Sequence, residues 1–210
     1  MICPLCLNIK IQHYHQDNKR DYWHCDCCDL VFVKPEQFIS SQQEKAIYDA
    51  HENNANDAGY RKFLSKLTLP LVERLSKGMT GLDFGSGPGP TLSVMLKEQG
   101  FIVEDYDIFY SNNSKLLKQY YDFISCTEVV EHLHYPHNEL TLLTNRLKPK
   151  GIFGIMTKRL IDKTRFKTWH YKNDPTHVCF YSDKTFEYIA DFWKFNLEFI
   201  QSDTVILTKL

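Results

Sequence analysis

The stretch "GLDFGSGPGP", residues 81–90, decides how this chain is read. Gly85, Gly87 and Gly89 follow directly on Leu82 and Phe84, the apolar pair that flanks Asp83. Apolar residues cut short by glycines read as a strand ending in a turn whose backbone must come close to a ligand. A phosphate-binding loop would place Lys-Ser/Thr after its last glycine. Here Pro90-Thr91 follows, and the next lysine is Lys97. A dinucleotide fingerprint is spaced G-x-G-x-x-G, whereas this turn is spaced G-x-G-x-G with Pro88 inside it. The helix that comes next offers its N-terminus to an anionic group such as a carboxylate. An acid at the end of the following strand can accept hydrogen bonds from ribose hydroxyls, and Asp107 lies 18 residues after Gly89. Turn and acid together predict a nucleoside cofactor.

From residue 80 onward strands and helices alternate. "TGLDFG" reads as a strand, "TLSVMLKEQG" as a helix stopped by Gly100, and "FIVEDYDIF" and "YYDFISCTE" as strands. "VVEHLHYPHNELTLLTNRL" is helical material interrupted near Pro136, "GIFGIMT" is another strand, and "SDKTFEYIADFW" is a helix capped by Ser182. "NLEFIQSD" and "TVILTKL" close the chain as a strand pair. Such alternation predicts an α/β fold with a mostly parallel sheet and an antiparallel C-terminal strand. Upstream, residues 36–78 read as two or three helices, with Pro70 kinking or restarting the last and Gly78 stopping it.

Five of the seven cysteines fall in the first 28 residues. Cys3-Pro-Leu-Cys6 and Cys25-Asp-Cys-Cys28 are two C-x-x-C pairs separated by residues 7–24, the spacing of a four-cysteine zinc site. Cys3, Cys6, Cys25 and Cys28 would close a tetrahedron around a structural zinc, with Cys27 outside it. So short a module buries little apolar surface, so the metal would supply most of its folding energy. Leu7 and Asp29 stand where such knuckles often carry glycine. The expected organisation is a zinc-ribbon-like module at 1–35, a helical segment covering the active site at 36–78, and the cofactor-binding domain at 79–210.

Composition narrows the partners. The 210 residues carry a net charge of −1, so no whole-protein field draws them to nucleic acid or anionic lipid. No apolar run is long enough to cross a membrane, and the N-terminus lacks a signal-peptide pattern, which leads to the expectation of a cytoplasmic protein. Nothing in the pattern speaks to oligomeric state.

"LDFGSGPG", "DYDIF", "YDFISCTEVVEHLHYP" and "LKPKGIFGIMT" occur in the order that resembles class I S-adenosylmethionine-dependent methyltransferases, nearest the ubiquinone-biosynthesis O-methyltransferases. "YDAHENNANDAGYRKFL" and "WHYKNDPTHVCFYSDKTF" extend the likeness to a bacterial group of zinc-ribbon-bearing methyltransferase-like proteins. The resemblance implies a Rossmann-like sheet and S-adenosylmethionine as cofactor. It also implies that Asp83, Gly85, Ser86, Gly87 and Gly89 border the methionine part, that Asp107 binds ribose, and that Ile108 packs on adenine. Cys126, Thr127 and Glu128 would line the site near the sulfonium. Only residues 108–121 separate the second strand from the next, which leaves little room for the usual helix and third strand.

Methyl transfer needs an acceptor atom aligned with the methyl group and, for many acceptors, a base. The base candidates are His177, His51 and His132, and no catalytic metal is expected. Tyr60, Trp169, His170 and Tyr181 are the aromatic candidates for the acceptor wall. Residues 148–172 hold eight basic side chains against Asp162, which would suit an anionic acceptor or form a solvated basic face. The expected substrate is a small molecule. An RNA or protein acceptor read by the metal module is the alternative, and a non-catalytic cofactor-binding scaffold is a third. Residues 1–40 hold four basic side chains and five acids, against the basic footprint of a nucleic-acid binder.

Overall fold

The protein is described here from a computed structural model covering residues 1–50 and 54–210, so His51 lies outside the described residues. Three short strands, β1 (Ile11–Gln16), β2 (Asp21–Cys25) and β3 (Val31–Val33), form an antiparallel ladder beside the cysteine pairs. Helix α1 (Ser41–Asp49) begins at a reciprocal cap between Ser40 and Gln43, and α2 (Ala58–Val72) begins at Asp57, whose side chain accepts from Tyr60 N. Then come β4 (Thr80–Phe84), α3 (Thr91–Glu98), β5 (Ile102–Tyr106), β6 (Tyr121–Thr127), α4 (Pro136–Arg146) and β7 (Leu147–Met156). The chain ends with α5 (Lys163–Thr168), β8 (Cys179–Phe180), α6 (Asp183–Trp193), β9 (Phe195–Phe199) and β10 (Thr204–Lys209).

The main sheet has six strands in the order β5-β4-β6-β7-β10-β9. The first four are parallel, and β10 runs antiparallel between β7 and β9. Its central strands are buried on both faces. Phe123 points with Ile152 and Ile206 toward Leu64, Leu67 and Leu71 of α2 and Leu92 and Leu96 of α3. Ile124 and Cys126 point the other way, with Phe153, Ile155 and Val205, toward Leu140 and Leu143 of α4. Side chains in a strand alternate faces, so this parity fixes which residues can reach the site.

Two sequence expectations change. Helix α2 runs through Pro70 without a restart and ends at Val72, not at Gly78. Pro70 lies in the last helical turn, so the Lys66 carbonyl is the one left without its helical donor, and beyond it the Arg74 guanidinium reaches Glu198, 2.8 Å away. Gly78 instead serves the turn into β4, at φ +83°. The shortened third-strand region is as expected: Asp107 and Ser111 exchange backbone hydrogen bonds in a tight turn, and among the described residues no strand lies beyond β5.

The N-terminal ladder continues into the rest of the chain. Strand β3 pairs with β8, so one four-stranded sheet joins residues 11–33 to the loop after β7. Arg20, 7% exposed, aims its guanidinium at the carbonyls of Lys172, Asp174, Pro175 and His177. Beside it Lys172 Nζ donates to Asp17 Oδ2 at 2.6 Å. Bonds from a charged donor are each stronger than neutral ones, so Arg20 holds residues 172–177 in one shape. Arg20→Ala is expected to lower stability by roughly 2–3 kcal/mol, since buried carbonyls lose their donor. Urea unfolding checks this, and an unchanged midpoint contradicts it.

Candidate functional site

The glycine turn leaves the carboxyl end of β4. Gly85 N and Ser86 N donate to Tyr106 O at 2.8 and 3.2 Å, stitching the turn to β5. Gly85 and Gly87 have φ of +76° and +65°, where L side chains are strained. A Cβ at Gly85 would also meet Val129 at 2.5 Å. Asp107 stands at the next strand end. Its Oδ2 accepts from Gly87 N at 3.0 Å, and its Oδ1 accepts from Phe109 N and Tyr110 N at 2.8 and 3.2 Å. The acid is therefore fixed against the glycine turn, with Ile108 beside it 66% exposed. Asp83 turns inward: Ser125 Oγ donates to it at 2.8 Å, and burial pushes its carboxyl up to about 7.

Strand β6 ends at the same edge. Thr127 Oγ1 is buried with no partner among the described residues. Glu128 holds a left-handed backbone, φ +52°, and its N–H donates to Met156 O at 2.7 Å. Such a conformation costs on the order of 1–2 kcal/mol for an L-residue and persists only where the surroundings impose it. Cys126, by contrast, is fully buried on the α4 face, and burial lifts its thiol well above the usual range. Its side chain does not reach the cleft.

Beyond Glu128 lies a buried polar cluster that the sequence pattern left largely unassigned. The Tyr171 hydroxyl donates to a carboxylate oxygen of Glu131, lies 3.1 Å from Thr157 Oγ1 and 3.4 Å from Glu128 Oε2. Burial is the leading cause that raises Glu128 to about 8 and Glu131 to about 7, and each carboxyl has acidic neighbours. His177 is 7% exposed, with Nδ1 2.7 Å from Tyr171 O, and burial lowers its pKa. His132 has Nδ1 3.3 Å from Thr176 O, and its ring meets that of His177 at 4.7 Å. Tyr48 of α1 lies 5.5 Å from His132 and 5.9 Å from Phe109, so α1 spans from the Asp107 turn to the histidines. Tyr60 of α2 is half-buried against the core on the α2 side, its ring stacked 6.4 Å from Phe63, and burial with the charges of Asp83 and Glu128 raises its phenol.

Of the remaining candidates, Trp169 is half-buried, its ring 5.0 Å from Tyr171. His170 is exposed and 3.1 Å from Lys158 Nζ. Tyr181 is fully buried and donates to Val130 O at 3.0 Å, so it braces the wall from behind instead of facing an acceptor. The basic segment is partly neutralised by Lys148–Asp122, Arg159–Asp183, Arg165–Asp162 and the buried Lys172–Asp17 pair. A cavity of about 640 Å³ opens beside Lys158 and Trp169, with Tyr14, His24 and Asp29 on one wall and Asp203 on another. Lys158 Nζ and the Trp169 ring, both on the cavity wall, lie 5.4 and 5.0 Å from the ring of Tyr171, whose hydroxyl reaches Glu128.

Away from this edge, Cys3, Cys6, Cys25 and Cys28 bring their sulfurs within 4.8 Å of one another. Cys3 and Cys28 Sγ are 3.5 Å apart, and Cys6 and Cys25 Sγ 3.4 Å. Zinc–sulfur bonds of about 2.3 Å place tetrahedral thiolates about 3.8 Å apart, so the cluster fits zinc. The two knuckles are alike: Leu7 N donates to Cys3 O and Asp29 N to Cys25 O, with φ +60° and +59° at Leu7 and Asp29. Both residues thus adopt the glycine conformation despite their side chains. Cys27 is exposed and outside the cluster.

A sequence profile described as a methyltransferase domain matches residues 57–202. Ubiquinone biosynthesis O-methyltransferase of Histophilus somni (strain 2336) is 30% identical over 95 residues, 43% of this chain and 38% of that enzyme. The chain therefore aligns with well under half of that relative's length. Magnesium protoporphyrin IX methyltransferase (ChlM) of Synechocystis PCC 6803, solved with bound SAH, superposes with a TM-score of 0.55 at 16% identity, over 80% of this chain and 94% of that one. A SAM dependent methyltransferase from Archaeoglobus fulgidus gives 0.50 at 19% identity, over 73% and 100%. These structural likenesses show a shared fold, and with the profile match over most of its length the chain belongs to the methyltransferase-domain family.

Proposed function

We propose that the protein transfers a methyl group from S-adenosylmethionine to a small-molecule acceptor bound at the carboxyl edge of the main sheet. The observation that carries this reading is the fixed pairing of the glycine turn with Asp107. Gly85, Ser86, Gly87 and Gly89 would border the methionine part, and the α3 N-terminus would face its carboxylate. Asp107 would take the ribose hydroxyls and Ile108 the adenine. Thr127 Oγ1, an orphaned polar atom at the tip of β6, supports a ligand at that point. When bound, the cofactor supplies a methyl group on a sulfonium leaving group. Tyr60 and Thr127 would shape the space beside it and exclude water.

The acceptor would enter from the cavity beside Lys158 and Trp169 and put its reacting atom near Glu128. His132 and His177, with Glu128 and Glu131, form the end of the cleft able to draw a proton from it. The cavity carries cations and acids together, which favours a small polar acceptor over a polyanion. Zinc held by the four cysteines would be structural, since four thiolates leave no open position. Its role would be to hold the ladder from which Arg20 shapes the loop of His177.

Asp107→Ala is expected to weaken S-adenosylhomocysteine binding by about 1.5–3 kcal/mol, the worth of a charged acceptor. Isothermal calorimetry reads this directly. Absence of binding by the wild type, or equal affinity in the variant, overturns the cofactor assignment.

A further inference from the structure

We infer that Asp203 is an acceptor-binding residue, whose unpartnered carboxylate oxygen takes a hydroxyl donated by an uncharged, hydroxyl-bearing acceptor seated in the cavity beside Lys158 and Trp169. This rests on the methyltransferase reading above and names the class of its acceptor. Asp203 lies on the cavity wall and is 7% exposed. Its Oδ2 accepts from Lys66 Nζ of α2 at 2.5 Å, while its Oδ1 is buried with no partner among the described residues. A buried carboxylate oxygen without a donor is costly, and a ligand that brings the donor removes that cost.

The fold fixes this carboxylate at the edge where the site lies. Ile200 N donates to Thr204 O at 3.0 Å, closing the turn between β9 and β10, and Thr157 N donates to Asp203 O at 2.9 Å. Asp203 therefore stands where β10 begins, beside the carboxyl end of β7, with Thr204 paired to Met156. Thr157 Oγ1 in turn lies 3.1 Å from the Tyr171 hydroxyl, which reaches Glu128. A short chain of contacts thus joins the anchor to the edge where transfer would occur.

The cavity wall selects the class of acceptor. Its other acids already have partners: Asp29 lies between His24 Nε2 at 2.9 Å and Ser182 Oγ, Asp183 accepts from Arg159 Nε, and Asp162 accepts from Arg165 N. Lys66 balances the charge of Asp203 itself, so Oδ1 needs a donor but no second cation. Arg159 is engaged by Asp183 and by Gln201 O, and Lys158 Nζ lies 3.1 Å from His170 Nε2 and over the Tyr171 ring. Lys184 is exposed to solvent, where an ion pair gains little. An uncharged donor therefore fits better than an ion of either sign. Tyr14 and Trp169, both half-buried on the wall, pack against Phe166 at 5.3 and 6.1 Å and offer apolar faces to a carbon skeleton. Apolar walls with few polar groups to fix orientation are the usual make-up of a small-molecule site.

The probe is a small-molecule extract from cells lacking the protein, separated at pH 7 on anion- and cation-exchange resin into anionic, cationic and uncharged pools. Each pool is offered with tritiated S-adenosylmethionine. The wild type should label the uncharged pool. Asp203→Ala should raise the pool concentration at half-saturation by about tenfold or more, as losing a hydrogen bond to a charged group does. Its rate at saturation should stay within about threefold, the split expected of a lost binding contact, and its affinity for S-adenosylhomocysteine should not change. Asp203→Asn, whose amide keeps a hydrogen-bonding group, should raise half-saturation by about threefold, and it decides alone if Asp203→Ala fails to fold. Label entering only a charged pool, or an unchanged half-saturation in the folded variants, overturns the proposal and leaves the methyltransferase reading intact. Label in no pool overturns that reading and the anchor with it.

Discussion

Cys6→Ser protein is expected to carry no zinc and to lose the N-terminal ladder as an ordered unit. The ladder's strands are short, and its core of Leu5, Tyr22 and Leu30 is closed by Cys3, Cys25 and Cys28 themselves. The four thiols cannot all ionise without a cation: burial raises Cys6, the hydrogen bond to Cys3 raises Cys28, and that same bond lowers Cys3 to about 6. Structural zinc in small modules contributes an apparent 10–16 kcal/mol or so of binding energy that is also folding energy. Its loss should extend past the module, because β3 pairs with β8 and Arg20 binds the carbonyls around His177. Elemental analysis should give about one zinc per chain in the wild type and in Cys27→Ser, and none in Cys6→Ser. Hydrogen exchange should then show residues 170–180 losing protection in Cys6→Ser while β4–β7 keep theirs. A wild-type ratio near zero, or loss of metal in Cys27→Ser with retention in Cys28→Ser, contradicts the assignment.

His177→Ala carries the second largest expected effect, a fall in methyl transfer of about 10²–10⁴-fold, the range for removing a group that handles the acceptor proton. His177 has its ring fixed by Tyr171 O, packs edge-on to His132, and is remote from Asp107 in the chain. Cofactor affinity should therefore stay within about 1 kcal/mol, the discrimination between a catalytic and a folding defect. Radiolabel transfer into a small-molecule extract reads the rate, and calorimetry reads the affinity. Equal loss of both places His177 in the structure of the cleft alone.

Much of this was legible because local chemistry dictated it. The glycine turn, Asp107, the Ser182 cap and the two C-x-x-C pairs each act within a few residues of themselves, and each is where its pattern put it. The shortened sheet edge followed from counting the residues available between β5 and β6. What escaped the sequence was long-range. Arg20 and Asp17 meet residues about 150 positions later, so Lys172 counted as part of a basic face when it is a buried ion-pair partner. Tyr181 and Cys126 face the core because strand parity and the β3–β8 pairing decide their side, and neither is visible in composition. Glu131 drew no candidate role from the sequence because the side chain it meets, Tyr171, stands 40 residues later and comes to it only in the folded loop. Helix α2 stops short of Gly78, and the Arg74 guanidinium at its exit reaches Glu198 of β9, a partner 124 residues away that no local pattern shows.

The central claim is methyl transfer to a small acceptor, and labelled cofactor tests it most directly. Protein incubated with tritiated S-adenosylmethionine and an extract from cells lacking the protein should move label into the small-molecule fraction. Asp107→Ala should not, at the same cofactor concentration. Label recovered in RNA or protein would contradict the small-acceptor reading, and bound cofactor with no transfer into any fraction would contradict the enzyme itself.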